Sequence, residues 1–120
     1  TYIARSKIIQ SVEFVQPGIA IAAGENNLIY DSVLIAQTAD ILLTMKDVSA
    51  SFVIAHRSDG LIGISARSLG DINVQLVMER LGGGGHLTNA ATQMEASSID
   101  EVKQYLTKAI AEIVEGSLEQ

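Results

Sequence analysis

The chain has 120 residues, 48% of them hydrophobic and only 18% charged, and its 14 acidic side chains outweigh 8 Lys and Arg for a formal net charge of −6. That length fits one domain of ordinary size, and the apolar fraction suffices for a core, so an intrinsically disordered chain is excluded. Net acidity argues against a broad basic surface for non-specific nucleic-acid binding, and the lack of cysteine excludes a disulfide framework or a thiolate metal site.

No apolar run approaches the roughly 18 residues of a membrane span, and no signal peptide is visible, so direct membrane insertion by this segment is not expected. Residue 1 is Thr, and the chain is expected to be a piece of something longer or a processed product.

In chain order, residues 1–16 are ambiguous between helix and strand and are expected to form the connection from a preceding domain. The single proline, Pro17 in "QPG", predicts a turn that opens the main fold at residue 18. "GIAIAAG" (18–24) predicts a buried strand. After "ENN", Asp31 or Ser32 can cap a helix with Ile35, Ala39, Leu42 and Leu43 at helical spacing.

"SFVIAH" (51–56) and "LIGISAR" (61–67) are β-rich, and Asp59-Gly60 between them is a hairpin turn signal. Both runs are so apolar that both faces of their sheet are expected to be covered. Asn73 can cap a short helix with Val74, Val77, Met78 and Leu81 on one stripe, and Gly82 falls where a helix C-cap belongs. "AATQMEA" (90–96) alternates weakly as a further strand, and Ser98 with Glu101 makes a capping-box pattern ahead of a last helix whose inward residues are Val102, Leu106, Ala109, Ile110 and Ile113. The order β-α-β-β-α-β-α predicts an α/β fold, a mixed sheet with flanking helices.

Two groups of residues can carry chemistry. The first is Gly82, Gly83, Gly84, Gly85 and His86. The helix C-cap accounts for one glycine and leaves three. Bare backbone lets a ligand approach closely, and successive N–H groups in a turn can converge on an anion, with His86 at the rim. On local grounds a flexible loop with a surface histidine explains the same residues. The phosphate loop of nucleotide triphosphatases does not match, because no Gly-Lys-Ser/Thr ending is present. The dinucleotide fingerprint fails because these glycines follow a helix.

The second group is "ISARS". On a strand, Ile62, Ile64 and Ala66 share one face and Gly63, Ser65 and Arg67 the other, with Ser68 just beyond. An arginine fork there suits a phosphate or stacks on a base. The plain alternative is a surface arginine paired with Asp71 or Glu79. Asn73 is a helix cap before it is a ligand contact. Thr88 and Asn89 can bind a ligand or satisfy their own turn, and His56, at a strand end, is more simply structural. Two distant histidines make a poor metal site, and no Ser-His-Asp set has a local signature.

Taken together, "ISARSLGDINVQLVMERLGGGGHLTNAATQ" resembles the DHHA1 domain of the DHH–DHHA1 phosphoesterase superfamily, and within it the C-terminal part of GdpP-type cyclic-di-AMP phosphodiesterases. The upstream "YIARSKIIQSVEFV" and "SVLIAQTADILLTM" extend the likeness over essentially the whole chain. The resemblance implies a substrate-binding DHHA1 domain over 18–120, after a connection over 1–17. It implies a partner DHH domain in the same full-length chain that holds two metal ions, manganese, and hydrolyses cyclic di-AMP to pApA. Ser65, Arg67, Ser68, Gly82, Gly83, Gly84, Gly85 and His86 would contact substrate, with Asn73 and Asn89 as lesser candidates.

No DHH motif and no metal ligands are seen in this chain, so the resemblance implies no cofactor and no catalytic residue here beyond assistance from His86, and an isolated fragment that is inactive. It further implies a cytoplasmic domain of a membrane-anchored protein, and a homodimer as a possible assembly. Alternatives of other kinds are the DHHA1 domain of a nanoRNase or pAp-phosphatase exonuclease acting on short RNA, a non-catalytic nucleotide-binding module, and a general RNA-binding domain, which the net acidity disfavours.

Overall fold

A computed structural model describes residues 2–119. Its elements are α1 (Tyr2–Gln10), β1 (Glu13–Gln16), β2 (Ile19–Ala23), α2 (Ser32–Leu43), β3 (Ala50–His56), β4 (Ile62–Ser68), α3 (Val74–Arg80), β5 (Gly84–His86), β6 (Asn89–Met94) and α4 (Ile99–Glu119). The six strands form one sheet in the order β1-β2-β3-β4-β6-β5. Only β2 and β3 pair in parallel, with α2 as their crossover; every other neighbouring pair is antiparallel. The expected mixed sheet with flanking helices is therefore the observed architecture.

Local chemistry accounts for the element ends. The Asp31 side chain accepts from Val33 N–H at 2.9 Å and caps α2. Gly60, at φ +85°, completes the turn between β3 and β4. Ser98 accepts from Glu101 N–H at 3.2 Å, which is half of the expected capping box. The other half is redirected, because the Glu101 carboxylate meets the Ser97 hydroxyl in place of the Ser98 N–H; Ile99 N–H donates to Asn26.

The ambiguous first residues resolve into a helix and then a strand, and both pack onto the sheet. Ile8 of α1 is fully buried, and β1 pairs with β2 across Pro17 and Gly18. Among the described residues no helix is long and apolar enough to cross a membrane.

Strand alternation divides the apolar residues between two cores. On one face Ile19, Ile21, Phe52, Ile54, Ile62, Ile64 and Ala66 meet α3 and α4. On the other, Ala22, Val53 and Ala55 meet Ile8 of α1 and Ile35, Ala39 and Leu42 of α2. Both faces of β2 and β3 are thus covered; for β4, expected to be covered likewise, α2 packs beside the second face but no β4 residue joins that core. Phe52, fully buried in the centre of β3, carries much of the first core. Phe52→Ala should lower unfolding free energy by about 3–5 kcal/mol, read as a lower urea midpoint at unchanged slope. Phe14→Ala, on edge strand β1 and 52% exposed, should change it by less than about 0.5 kcal/mol.

Candidate functional site

The second face is covered unevenly. Helix α2 lies over β3 and β4 and does not extend across β6 and β5. Pairing places residues directly opposite one another on a common face, and three rows run from β4, beside α2, outward to the uncovered strands. Arg67 is opposite Asn89, which is opposite His86; Ser65 is opposite Ala91, which is opposite Gly84; Gly63 is opposite Gln93. The alternate residues Ile64, Ala66, Ala90 and Thr92 are buried on the far side. Four of the expected site residues, Ser65, Arg67, Gly84 and His86, and the lesser candidate Asn89 are therefore brought together on one open surface.

Arg67 is the strongest charge in that group, and it is held in place. Its Nε donates to Asp40 Oδ1 of α2 at 2.7 Å and its Nη1 to the Ala66 carbonyl at 2.9 Å. The side chain is 13% exposed while Asp40 is 61% exposed. The ion-pair partner is thus Asp40, not Asp71 or Glu79. Helix α2 packs across β4, whereas Asp71 and Glu79 follow the strand on its other side. Nη2 makes no hydrogen bond to any described residue, so part of the guanidinium's donor set remains for an anion.

The glycine run takes a different shape from the expected cradle. Gly82 ends α3 with φ +87°, and its N–H donates to Glu79 O while Gly83 N–H donates to Met78 O, at 3.2 and 2.8 Å. These are the paired bonds of a Schellman cap. Gly84 and Gly85 then begin edge strand β5. In a strand successive N–H groups point to opposite sides, so they do not converge on one anion.

Two glycines left unexplained by sequence have packing reasons. A Cβ on Gly83 would stand 2.2 Å from Ala91 O, and one on Gly85 would stand 2.5 Å from Asn89 O in a backbone at φ +145°. A Cβ on Gly84 would meet nothing, and this glycine lies on the open face. Gly82, Gly83 and Gly85 are therefore accounted for by the cap and the close β5–β6 approach, and Gly84 alone is free of a structural requirement.

Ser68 is separated from its expected companions. It lies on the buried side of β4, 4% exposed, and its hydroxyl accepts from Gly70 N–H at 2.9 Å. It follows Arg67 by one residue, so the period-2 strand turns it to the opposite face. Asn73 caps α3 through Leu76 N–H, as its local chemistry suggests. Thr88 serves its own fold, since its carbonyl accepts from Ser68 N–H. His56 Nε2 lies 3.4 Å from Asn26 Oδ1 at the other end of the sheet.

Sequence reasoning missed Asp40, Arg57 and Gln93. Gln93 was legible as the next residue in the Asn89, Ala91 alternation, and Arg57 as the one after Val53 and Ala55. Asp40 had no local signal, because it reaches Arg67 from 27 residues away. Arg57 grips Asp59 through Nε and Nη2, at 2.9 Å for the shorter contact. The hydrogen bond to Arg57 holds the Asp59 carboxyl below the usual carboxylate range, helped by Leu61 N–H, and the same bond raises Arg57 above its ordinary value. Ser65, Gly63, Gln93 and Arg57, together with Ser32 and Ile35 of α2, line a small cavity of about 90 Å³ between the start of that helix and the sheet. Among the described residues no group of three His, Cys, Asp or Glu could hold a metal ion.

The DHHA1 domain profile matches residues 16–112. The chain belongs to the DHHA1 domain family. The GdpP cyclic-di-AMP phosphodiesterase of Geobacillus thermodenitrificans is 57% identical over 96% of this chain. The PdeA cyclic-di-AMP phosphodiesterase of Listeria monocytogenes is 53% identical over 92% of this chain, and the GdpP enzyme of Bacillus subtilis 49% identical over 100% of this chain. The DHHA1 chain spans 17–18% of the length of these relatives. Its fold is shared with an exopolyphosphatase-related protein from Bacteroides fragilis, at TM-score 0.76 and 19% identity, with 92% of this chain and 34% of that one covered.

Two outcomes check this geometry. Gly83→Ala should destabilise the DHHA1 domain by about 1–3 kcal/mol through overpacking, while Gly84→Ala stays within about 0.5 kcal/mol, both by urea unfolding. A carbon-detected NMR titration should place the Asp59 midpoint below that of an ordinary aspartate. Because the charged form is the one Arg57 binds, the pair is intact above that midpoint and lost as pH falls through it; Arg57→Ala should raise the midpoint toward the usual value, with the Leu61 N–H bond still holding it somewhat below.

Proposed function

We propose that this DHHA1 domain is the substrate-binding part of a phosphodiesterase that hydrolyses cyclic di-AMP to pApA. The observation that carries the reading is the open sheet face on which Arg67, Asn89 and His86 form one row beside Ser65 and Gly84. The relatives named as cyclic-di-AMP phosphodiesterases support it. In this reading Arg67 donates to a substrate phosphate through the nitrogen that Asp40 leaves unused, and His86 and Asn89 donate from the neighbouring strands.

Gly84 contributes by having no side chain, so a phosphate or sugar can lie against the β5 backbone. Gly82, Gly83 and Gly85 contribute by building the strand that carries His86. Ser68 and Asn73 act at one remove, through the turn after β4 and the start of α3. The hydrolytic centre belongs to a DHH domain of the same full-length protein, with two manganese ions that would activate water; membrane anchoring is a property of that longer protein.

The complete protein carrying this domain tests the reading. Arg67→Ala should raise KM for cyclic di-AMP about ten- to hundredfold, the equivalent of the roughly 1.5–3 kcal/mol of a charged hydrogen bond. Gly84→Val should impair substrate binding without lowering the melting temperature. Unchanged hydrolysis by both variants would overturn the assignment of this face, and faster cleavage of short RNA than of cyclic di-AMP would move the domain to the exonuclease branch.

A further inference from the structure

The face that bears Arg67 continues past Ser65 toward the turn between β3 and β4. Arg57 leaves the end of β3 there and folds back over β4. A Cβ placed on Gly63 would stand 3.0 Å from Arg57 Cδ, so the arginine stem occupies the space that a β4 side chain would take. The guanidinium is fixed along one edge by Asp59, with Nε 3.2 and 3.1 Å from the two carboxylate oxygens and Nη2 2.9 Å from one of them. A planar cation pinned at its edge keeps its flat faces for stacking.

Arg57 also forms a wall shared by two adjoining cavities. One, of about 90 Å³, includes Ser65 and Gln93. The other, of about 330 Å³, includes Ile29, Asp31 and Ser58, and Ile29 is 66% exposed on its rim.

This composition selects the class of ligand. A second phosphate is disfavoured, because two carboxylates, Asp59 on the Arg57 guanidinium and Asp31 in the larger cavity, already stand at this end of the face. A fold-stabilising role is a poor explanation too, since an ion pair whose side chains are 29% and 43% exposed contributes little to stability. A flat, uncharged heteroaromatic ring suits what remains: a guanidinium face, an aliphatic rim, and a carboxamide and hydroxyls that can meet polar ring edges. Gly63 and Arg67 are four residues apart on one strand, about 13 Å at roughly 3.3 Å per residue, so a base at this end and a phosphate at the other can belong to one ligand.

We propose that Arg57, clamped by Asp59, is the stacking wall of a nucleobase subsite at the opposite end of the sheet face from Arg67. The inference rests on reading that face as the substrate surface.

The test uses the complete protein, with cyclic di-AMP hydrolysis as the assay and two competitive inhibitors that share a phosphate but differ in having a base: adenosine 5′-monophosphate and ribose 5-phosphate. Arg57→Ala should raise the inhibition constant of the nucleotide about tenfold, the scale of one stacked base, and leave that of the sugar phosphate within twofold. Arg57→Lys keeps the charge without the plane and should behave like Arg57→Ala. Arg67→Ala should weaken both inhibitors.

An unchanged constant for the nucleotide in Arg57→Ala, an equal loss for both inhibitors, or restoration by Arg57→Lys would each overturn the base subsite while leaving the Arg67 reading in place. If Arg67→Ala weakens neither inhibitor, the sheet face itself is wrongly assigned, and the subsite falls with it. Melting temperatures within a few degrees of the parent protein confirm that each variant is folded.

Discussion

The antiparallel ladder between β4 and β6 is the constraint on which the rest of the molecule depends. It sets Arg67 against Asn89, Ser65 against Ala91 and Ile64 against Thr92. One face of this pair is buried under α3 and α4, while the other lies beside α2 at β4 and opens to solvent toward β6, so a one-residue slip would drive Arg67 into the core and turn Ile64 out of it. The cost of burying an unpaired guanidinium and exposing an isoleucine enforces the register. The same register aligns β5, which pairs with β6, and so brings His86 into the row of Arg67.

An imbalance of helical cover turns this ladder into a surface that can bind. Helices α3 and α4 bury apolar residues from β2 across to β6 on one side. On the other side α1 and α2 bury residues of β2 and β3, and past Asp40 the sheet meets solvent. Residues there answer to water and to a ligand, not to a core. That explains why small and polar side chains occupy alternate positions of β4 and β6 while isoleucine and alanine occupy the rest. Asp40 sits at the boundary, where the helix that withholds cover also supplies the carboxylate that steadies Arg67. The glycine run follows from the same architecture, since β5 approaches β6 so closely that side chains at Gly83 and Gly85 would strike its backbone.

Much of the fold was legible because it rests on local periodicity. The strands around Ile21, Phe52 and Ile64 announce themselves as apolar runs, and the helices begin at Asp31, Asn73 and Ser98, whose side chains cap them as their chemistry predicts. Strand β5 was not legible: three residues, two of them glycine, carry no alternation to detect. Residues 2–16 were ambiguous because α1 has almost no apolar stripe of its own and is held by the burial of Ile8 against α2. Within the site, the pairing of Ser65 with Arg67 on one face followed from the strand period alone. The inclusion of Ser68 did not survive the same period, which turns it inward.

The sequence by itself determined the class of fold, the two faces of β4, the end of α3 at Gly82 and, through the combination of "ISARS", "GGGGH" and "NAATQ", the family. These are properties of neighbouring residues, and chain chemistry within a few positions suffices to set them. Tertiary structure alone decided which face stays uncovered, that Asp40 and not Asp71 or Glu79 holds Arg67, and that three of the four glycines serve a cap and a strand contact. It also decided that Arg57 and Gln93 line the same surface as Ser65. Each of these depends on segments remote in sequence meeting across the sheet, and no local pattern encodes which remote segments will meet.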